Sequence, residues 1–350
     1  MSAARKLRFG VIGVGTIGAT HAEALLGAEH AELAAVCDTS RERATAFAAK
    51  FGCRAAASLD ELLADPGIDA VSIATPSGLH AECAIPAAQA GKHILCEKPL
   101  EITVERCDAI LKAAEAAGVT LACVFNNRFF DASRAAKAAI LAGRFGDPVL
   151  VSAAVRWHRD PEYYRSAWRG TWALDGGGAL MNQGIHAADL LRFFNGDVVE
   201  VMGFAGRRAH PAIEVEDTLS AVLKFANGSM GCIETSTACA PGFARRIEFS
   251  GNRGSFILVD DRLERWEPGD ARPEDDEIRR IGAAGHPVGG RGQGPAVDCE
   301  MHRRQFDDLA LAVRDHRPPA VPGIEGRRTV AMVCAIYRSV RENRPATPEK

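Results

Sequence analysis

Three glycines near the start of the chain constrain its fold more than any other feature. Gly13-Val14-Gly15-Thr16-Ile17-Gly18 follows the apolar run 7–12 and leads into 17–26, an Ala-rich segment with a helical pattern. A strand that turns through glycines straight into a helix is the opening unit of a doubly wound sheet. The rhythm persists for 125 residues. Short apolar runs at 33–37, 70–73, 93–96 and 120–124 alternate with helical segments at 41–50, 79–90 and 104–117. Continuous apolar strands separated by helices predict a parallel sheet covered on both faces.

The pattern changes after about Asn126. Extended runs at 149–157, 198–205, 218–225, 229–235, 246–250 and 254–259 follow with little helix between them, and Asn227-Gly228 is a hairpin signal. One helix is expected at 179–194, and two more, 297–314 and 324–341, close the chain. At 350 residues the chain exceeds one ordinary core. The expected class is α/β. A doubly wound, Rossmann-type parallel sheet occupies 1–125 and binds a dinucleotide. A C-terminal α+β domain, 126–350, has a large, mostly antiparallel open sheet and is assigned to substrate binding and oligomerisation. The Gly-rich stretch 282–295 reads as a loop, either a lid or disordered.

A net charge of −3 gives no reason to expect nucleic acid or an anionic membrane as partner. No apolar run approaches the roughly 20 residues of a membrane span, and residues 1–7 are too short for a signal peptide. The ten cysteines include no Cys-x-x-Cys pair and sit mostly in apolar runs, among them Cys37, Cys96, Cys123 and Cys232. They read as reduced, buried thiols of a cytoplasmic protein, with no metal site among them.

The glycine turn has a chemical reading. Gly13 permits the turn, Gly15 lets a pyrophosphate approach the backbone, and Gly18 lets the helix pack on the strand. Thr16 and Ile17 begin the helix whose free N–H groups face the phosphates. Asp38, at the end of 33–37, accepts the adenosine ribose hydroxyls and repels a 2′-phosphate, which favours NAD. Arg41 and Arg43 beside it keep NADP open, and Asp38 also suits a helix cap. Thr75 and Pro76 follow the run 70–73 and line the path toward a nicotinamide. His80 is placed either at its ribose or in a capping role.

Cys96-Glu97-Lys98-Pro99 ends the run 93–96 at the same sheet edge. An ammonium there, beside a cationic ring and away from water, has a lowered pKa and exchanges a proton with a substrate hydroxyl. Glu97 is expected at the nicotinamide ribose or paired with Lys98. The bland alternative is a surface lysine at a strand end. In the second half, Gly176-Gly177-Gly178 leads into a helix on which Asn182 and His186 stand four residues apart and share a face. His186 is a candidate proton carrier, or else a buried, hydrogen-bonded histidine. Tyr163, Trp168 and Arg169 belong to a segment dense in aromatics and arginine, read as a loop for sugar or cofactor.

With these residues in hand, the chain resembles the Gfo/Idh/MocA oxidoreductases, relatives of glucose–fructose oxidoreductase and inositol dehydrogenase. The resemblance runs through Gly13–Gly18, Asp38, Thr75-Pro76, Glu97-Lys98-Pro99, 176–189 and Gly323-Ile324-Glu325-Gly326-Arg327. It implies hydride transfer between NAD and a secondary alcohol of a sugar, sugar derivative or cyclic polyol, with Lys98 and His186 handling the proton. It also implies a homodimer or homotetramer, cofactor or substrate contacts at Trp168 and Arg169, and substrate contacts at Tyr163 and Asn182. Inositol-dehydrogenase-like members carry Asp where this chain has Asn182, and an amide cannot ionise. Met181-Asn182-Gln183 before His186 resembles members that act on UDP-linked N-acetyl sugars, which leaves an aldose derivative or sugar nucleotide open beside myo-inositol. The lack of a basic run dedicated to a diphosphate leans toward a simpler sugar. Two rival readings remain: a non-catalytic NAD-binding sugar sensor, and a glycosidase that uses NAD transiently.

Overall fold

The computed structural model describes residues 5–283 and 299–350, so all of 282–295 after Ala283 lies outside the described residues. The chain divides into two compact units, 1–126 with 298–327, and 127–297 with 328–350.

The first unit opens with β1 (Leu7–Ile12), α1 (Thr16–Gly27), β2 (Ala31–Cys37), α2 (Arg41–Phe51), β3 (Arg54–Ala55) and α3 (Leu59–Ala64). It continues through β4 (Ala70–Ile73), α4 (His80–Gln89), β5 (His93–Cys96), α5 (Val104–Ala117) and β6 (Leu121–Cys123). The six strands are parallel in the order β3-β2-β1-β4-β5-β6. The order reverses direction between β1 and β4, the place where this architecture leaves a crevice for ligands. Val11, Val71 and Ile94 are fully buried, which explains why these strands read as unbroken apolar runs. The sequence signal missed β3, because its two residues, Arg54 and Ala55, form no apolar run.

The second unit contains α6 (Asp131–Leu141), β7 (Pro148–Arg156), α7 (Ile185–Asn195), β8 (Val198–Gly206), β9 (Thr218–Phe225) and β10 (Met230–Ser236). Then come β11 (Arg246–Gly251), β12 (Ser255–Val259), β13 (Arg262–Glu267) and α8 (Glu274–Ala283). Its seven strands run in the order β13-β12-β11-β7-β10-β9-β8, and only the β7/β10 pair is parallel. Gly228 turns the β9–β10 hairpin at φ +88°. β13 escaped the sequence reading because a register shift opposite Ile257/Leu258 breaks its alternation: Leu263 and Trp266 are the buried pair. Phe249 and Phe256 stack at 5.2 Å on the side that also receives Phe194 of α7. The opposite side of the sheet exposes Leu150, Phe204, Val222 and Met230.

One boundary at 125/126 does not describe this division. α9 (Glu300–Arg314) belongs to the first unit, and α10 (Gly323–Glu342) is shared between the two. The cause is the apolar face of α9. Phe306 meets Phe9 of β1 edge-on at 5.0 Å, and Leu309 and Ala310 join the core that also holds Leu25, Val36 and Leu95.

Candidate active site

In the first unit, the glycine turn has the geometry of a phosphate cradle. Gly13 stands at φ +95°, where a side chain would be strained, and a Cβ there would meet the carbonyl oxygen of Ala74 at 2.7 Å. A Cβ at Gly15 would meet nothing within 4 Å, so the space beside it is left to a ligand. Gly15 also caps α1 without any side-chain hydrogen bond, leaving the first N–H groups of Thr16 and Ile17 for an anion. Asp38 closes the turn: its Oδ2 accepts the Val14 N–H at 3.1 Å, and Oδ1 accepts Ser40 N–H and the Arg43 guanidinium at 2.8 and 2.7 Å. Burial alone would raise its pKa, but these donors hold the carboxyl below its ordinary value. An ionised carboxylate with room on Oδ2 suits ribose hydroxyls, and Arg43 is already engaged by it.

Two expected cofactor contacts are corrected. His80 does not stand at a ribose. It is buried, with Nδ1 at 2.8 Å from the Pro99 carbonyl and Nε2 at 3.2 Å from that of Thr75. Burial lowers its pKa, and the neutral ring has a single N–H, which on the shorter contact ties the Pro99 carbonyl just after Lys98. Glu97 also lies inside the unit. Its Oε1 is 3.0 Å from His21 Nε2 and 3.7 Å from His302 Nε2, and its Oε2 accepts the backbone N–H of Lys98 at 2.9 Å. Burial by itself would raise the Glu97 carboxyl, but the two histidines hold it well below the carboxylate range. Burial lowers the pKa of His21, whose Nδ1 is 2.7 Å from Ser72 Oγ. A neutral His21 that accepts from Ser72 and donates to Glu97 satisfies all three groups. The expected pairings fail because the partners come from α1 and α9, which nothing near Glu97 in sequence announces. The cluster fixes the peptide that carries Lys98.

In the second unit, the structure gathers Tyr163, Arg169, Asn182 and two residues the sequence reading missed, Asp175 and Gln183. The Arg169 guanidinium lies 4.2 Å from the Tyr163 ring centre and 5.2 Å from that of Trp168. Gln183 donates to the Tyr163 hydroxyl at 2.9 Å. Asp175 accepts from the Asn182 amide at 2.7 Å and from the Gly170 N–H at 2.9 Å. The charge that Asn182 lacks is thus supplied one bond away, by the residue just before the three glycines. Asn182 does not stand on an α-helix. Leu180–Gly184 forms a π-helical turn, closed by Gly184 N–H to the Ala179 carbonyl at 2.7 Å, and α7 begins at Ile185, just before His186. A Cβ at Gly184 would meet Thr235 at 2.4 Å, so β10 presses against the widened turn.

The three glycines have physical causes, the first being that Gly176 stands at φ +76°. A Cβ at Gly177 would meet the Tyr337 hydroxyl at 2.3 Å, and one at Gly178 would meet the Glu216 carbonyl oxygen at 1.7 Å. The Glu216 carboxylate accepts N–H from Gly178 and Leu180, both at 2.9 Å, and the Tyr337 hydroxyl at 3.0 Å. This satisfies the start of the turn that carries Asn182. Burial pushes Glu216 up to about 7 in spite of the N–H groups and the tyrosine. The folded chain then holds this proton up to about pH 7, whereas the unfolded chain releases it near 4.5. Stability from this group is complete below 4.5 and is lost as pH rises through about 7, a fall of roughly 3 kcal/mol. Denaturant unfolding of wild type and Glu216→Gln across that window checks this: the variant's stability falls less with pH.

Comparison with known proteins agrees with this geometry. Residues 7–125 match the family model "Oxidoreductase family, NAD-binding Rossmann fold" and residues 133–257 match the "GFO/IDH/MocA C-terminal domain". The chain belongs to the Gfo/Idh/MocA family. As in other NAD-binding oxidoreductases of this family, the dinucleotide domain is the parallel sheet of the first unit. The chain is 32% identical over 348 residues to inositol 2-dehydrogenase of Rhizobium meliloti, covering 97% of this chain and 98% of that protein. It is 32% identical to myo-inositol 2-dehydrogenase of Thermotoga maritima, over 98% and 99% of the two chains. The crystal structure of the WlbA dehydrogenase from Bordetella pertussis in complex with NADH and UDP-GlcNAcA superposes with a TM-score of 0.90 at 34% identity, over 99% of each chain.

Proposed function

We propose that this Gfo/Idh/MocA protein is an NAD-dependent dehydrogenase of a secondary alcohol on a sugar, sugar derivative or cyclic polyol. The observation that carries the reading is the pinned Lys98: a lysine at the carboxyl end of β5, its own N–H held by a buried, ionised Glu97. NAD, when bound, supplies the hydride acceptor. Gly13 and Gly15 with Thr16 and Ile17 hold its phosphates, Gly18 lets α1 pack closely behind them, Asp38 holds its adenosine ribose, and Thr75 and Pro76 shape the approach to Lys98. Lys98 removes the hydroxyl proton. His186 orients that hydroxyl or relays the proton, and Asn182, held by Asp175, fixes a neighbouring hydroxyl. The relatives named for inositol and for a UDP-linked sugar support this substrate class.

The test is incubation with NAD, and separately NADP, and a panel of inositols, aldoses, sugar acids and UDP-sugars, followed at the absorbance band of the reduced nicotinamide. Turnover on one class is expected. Silence across the panel, with NAD binding intact, overturns the reading in favour of a sensor. Cofactor choice has its own test. Asp38→Asn removes the carboxylate that repels a 2′-phosphate and releases Arg43 to receive one. The NAD-over-NADP ratio of kcat/KM is expected to fall by roughly tenfold or more; an unchanged ratio removes Asp38 as the selector.

The working state is proposed to be a homodimer or homotetramer built on the outer side of the second sheet, where Leu150, Phe204, Val222 and Met230 are exposed in a row of neighbouring strands. A cytoplasmic setting fits the ten cysteines, five of them buried and five, Cys232 among them, half-buried, with no disulfide among the described residues. No helix among the described residues is long and apolar enough to cross a membrane.

A further inference from the structure

The buried and half-buried arginines of the second unit differ in how they are neutralised, and Arg245, 2% exposed and also without an ion pair, is closed by the Asp260 carbonyl at 2.5 Å. Arg128 is paired with Asp189 at 2.6 Å, Arg144 with Asp275 at 2.8 Å and Arg192 with Asp197 at 2.8 Å. Arg159, only 4% exposed, and the half-buried Arg169 have neither an ion pair nor a carboxylate within ion-pair distance among the described residues. They are held by aromatic faces instead. Arg159 sits 5.0 Å from the Trp157 ring centre and 5.5 Å from that of Tyr163, the ring that Arg169 approaches to 4.2 Å. Their other contacts are uncharged: the Tyr163 side chain bonds Arg159, and single carbonyls accept from Arg159 (His158, 3.0 Å) and Arg169 (Tyr163, 3.4 Å).

The unused groups in this cluster are all donors. The Nε of Arg159, the Nε of Arg169 and the indole N–H of Trp157 are buried without a hydrogen-bond partner. Burying one guanidinium without a counter-charge is costly, and two on one tyrosine also repel each other. Burial and Arg169 both act to lower the pKa of Arg159. An oxyanion relieves each of these costs, because a guanidinium matches carboxylate and phosphate oxygens in pairs. The position is informative as well. Tyr163 is bonded to Gln183, the neighbour of Asn182 on the π-helical turn.

We propose that Arg159 and Arg169, with the Trp157 indole, form a receptor for an oxyanion on the substrate, so that the true substrate is an anionic sugar or polyol bearing a carboxylate or a phosphoryl group. This rests on the reading of Asn182 as a substrate residue and narrows it. It replaces the expectation of a simple neutral sugar, which came from the lack of a basic run. The pair is separated by ten residues of chain and becomes visible only when Tyr163 brings both guanidinia to one ring.

Calorimetric titration of the NADH-loaded protein tests it, using matched ligands: glucose, glucuronate and glucose 6-phosphate, then myo-inositol and an inositol monophosphate. At least one anion is expected to bind roughly 10–100-fold tighter than its neutral parent. The uronate arm and the phosphate arms tell the two anion sources apart. Arg159→Met and Arg169→Lys are each expected to erase most of the advantage, and in Arg159→Met NADH affinity stays within about twofold. Two variants guard against misfolding in one. Equal binding of anion and parent overturns the proposal, as does an Arg159→Met effect confined to NADH, which would assign the pair to the cofactor. Turnover decides the other question separately. Oxidation of neutral polyols with no gain from an anion keeps the dehydrogenase and removes the receptor. Tight anion binding without NAD reduction does the reverse.

Discussion

Lys98→Ala is expected to lower kcat by roughly 10²–10⁴-fold, the range for a lost general base, and to leave NAD affinity nearly intact. The size of the effect follows from position. Lys98 stands where β5 ends, its backbone N–H is bonded to Glu97, and Glu97 is locked between His21 and His302. The peptide is held from the other side by His80, through the Pro99 carbonyl. Alanine keeps these backbone bonds and removes the amine with its apolar stem. A loss of turnover with unchanged thermal stability therefore reports chemistry. Steady-state kinetics beside an NAD titration checks it, and a variant with near-wild-type turnover removes Lys98 as the base. Glu97→Gln supplies the complementary result: the amine remains, but its peptide loses an ionised anchor, so kcat falls less than in Lys98→Ala while stability falls more.

Gly178→Ala carries the largest expected cost to stability. A methyl group at that position would sit 1.7 Å from the Glu216 carbonyl oxygen, a backbone atom that cannot swing aside. Either the glycine lead or the Glu216 segment must shift. A shift there breaks the Glu216 bonds to Gly178 and Leu180 and moves the turn that carries Asn182. Overpacking of this kind costs about 3 kcal/mol and occasionally more. Denaturant unfolding measures it, with Gly15→Ala as the internal contrast. A Cβ at Gly15 meets nothing within 4 Å of the chain, so that variant should fold like the wild type and lose NAD affinity instead. Wild-type stability in Gly178→Ala would contradict the packing described here.

The parts legible in the sequence were those with local causes. The apolar runs of β1, β4 and β5 announced a buried parallel sheet because both faces of each strand are covered. Asn227-Gly228 announced a hairpin because the turn needs a positive φ at Gly228. The positions of Lys98 and Asp38 followed from counting along strand–turn–helix units. The parts that were not legible have distant partners. The sequence of Glu97 says nothing of His21 or His302, and a triple glycine says nothing of Glu216 or Tyr337. The apolar face of α9 looks the same whichever unit it packs on, so its return to the first unit had no signal. The π-helical turn at Asn182 reads as ordinary helix until β10 is seen pressing on Gly184. Arg159 carries no sequence signal, because a lone arginine in the segment after a strand usually faces water.

The central claim is that hydride passes between a carbinol carbon and NAD. The most direct measurement uses sugars and polyols deuterated at each carbinol carbon, with the protein and NAD, and mass spectrometry of the recovered cofactor. Deuterated NADH is expected from one labelled position, in stoichiometric yield with the ketone, and none from Lys98→Ala over the same interval. NAD that binds but never gains the label, or a label that returns wholly to the sugar as a glycosidic bond is hydrolysed, would contradict it.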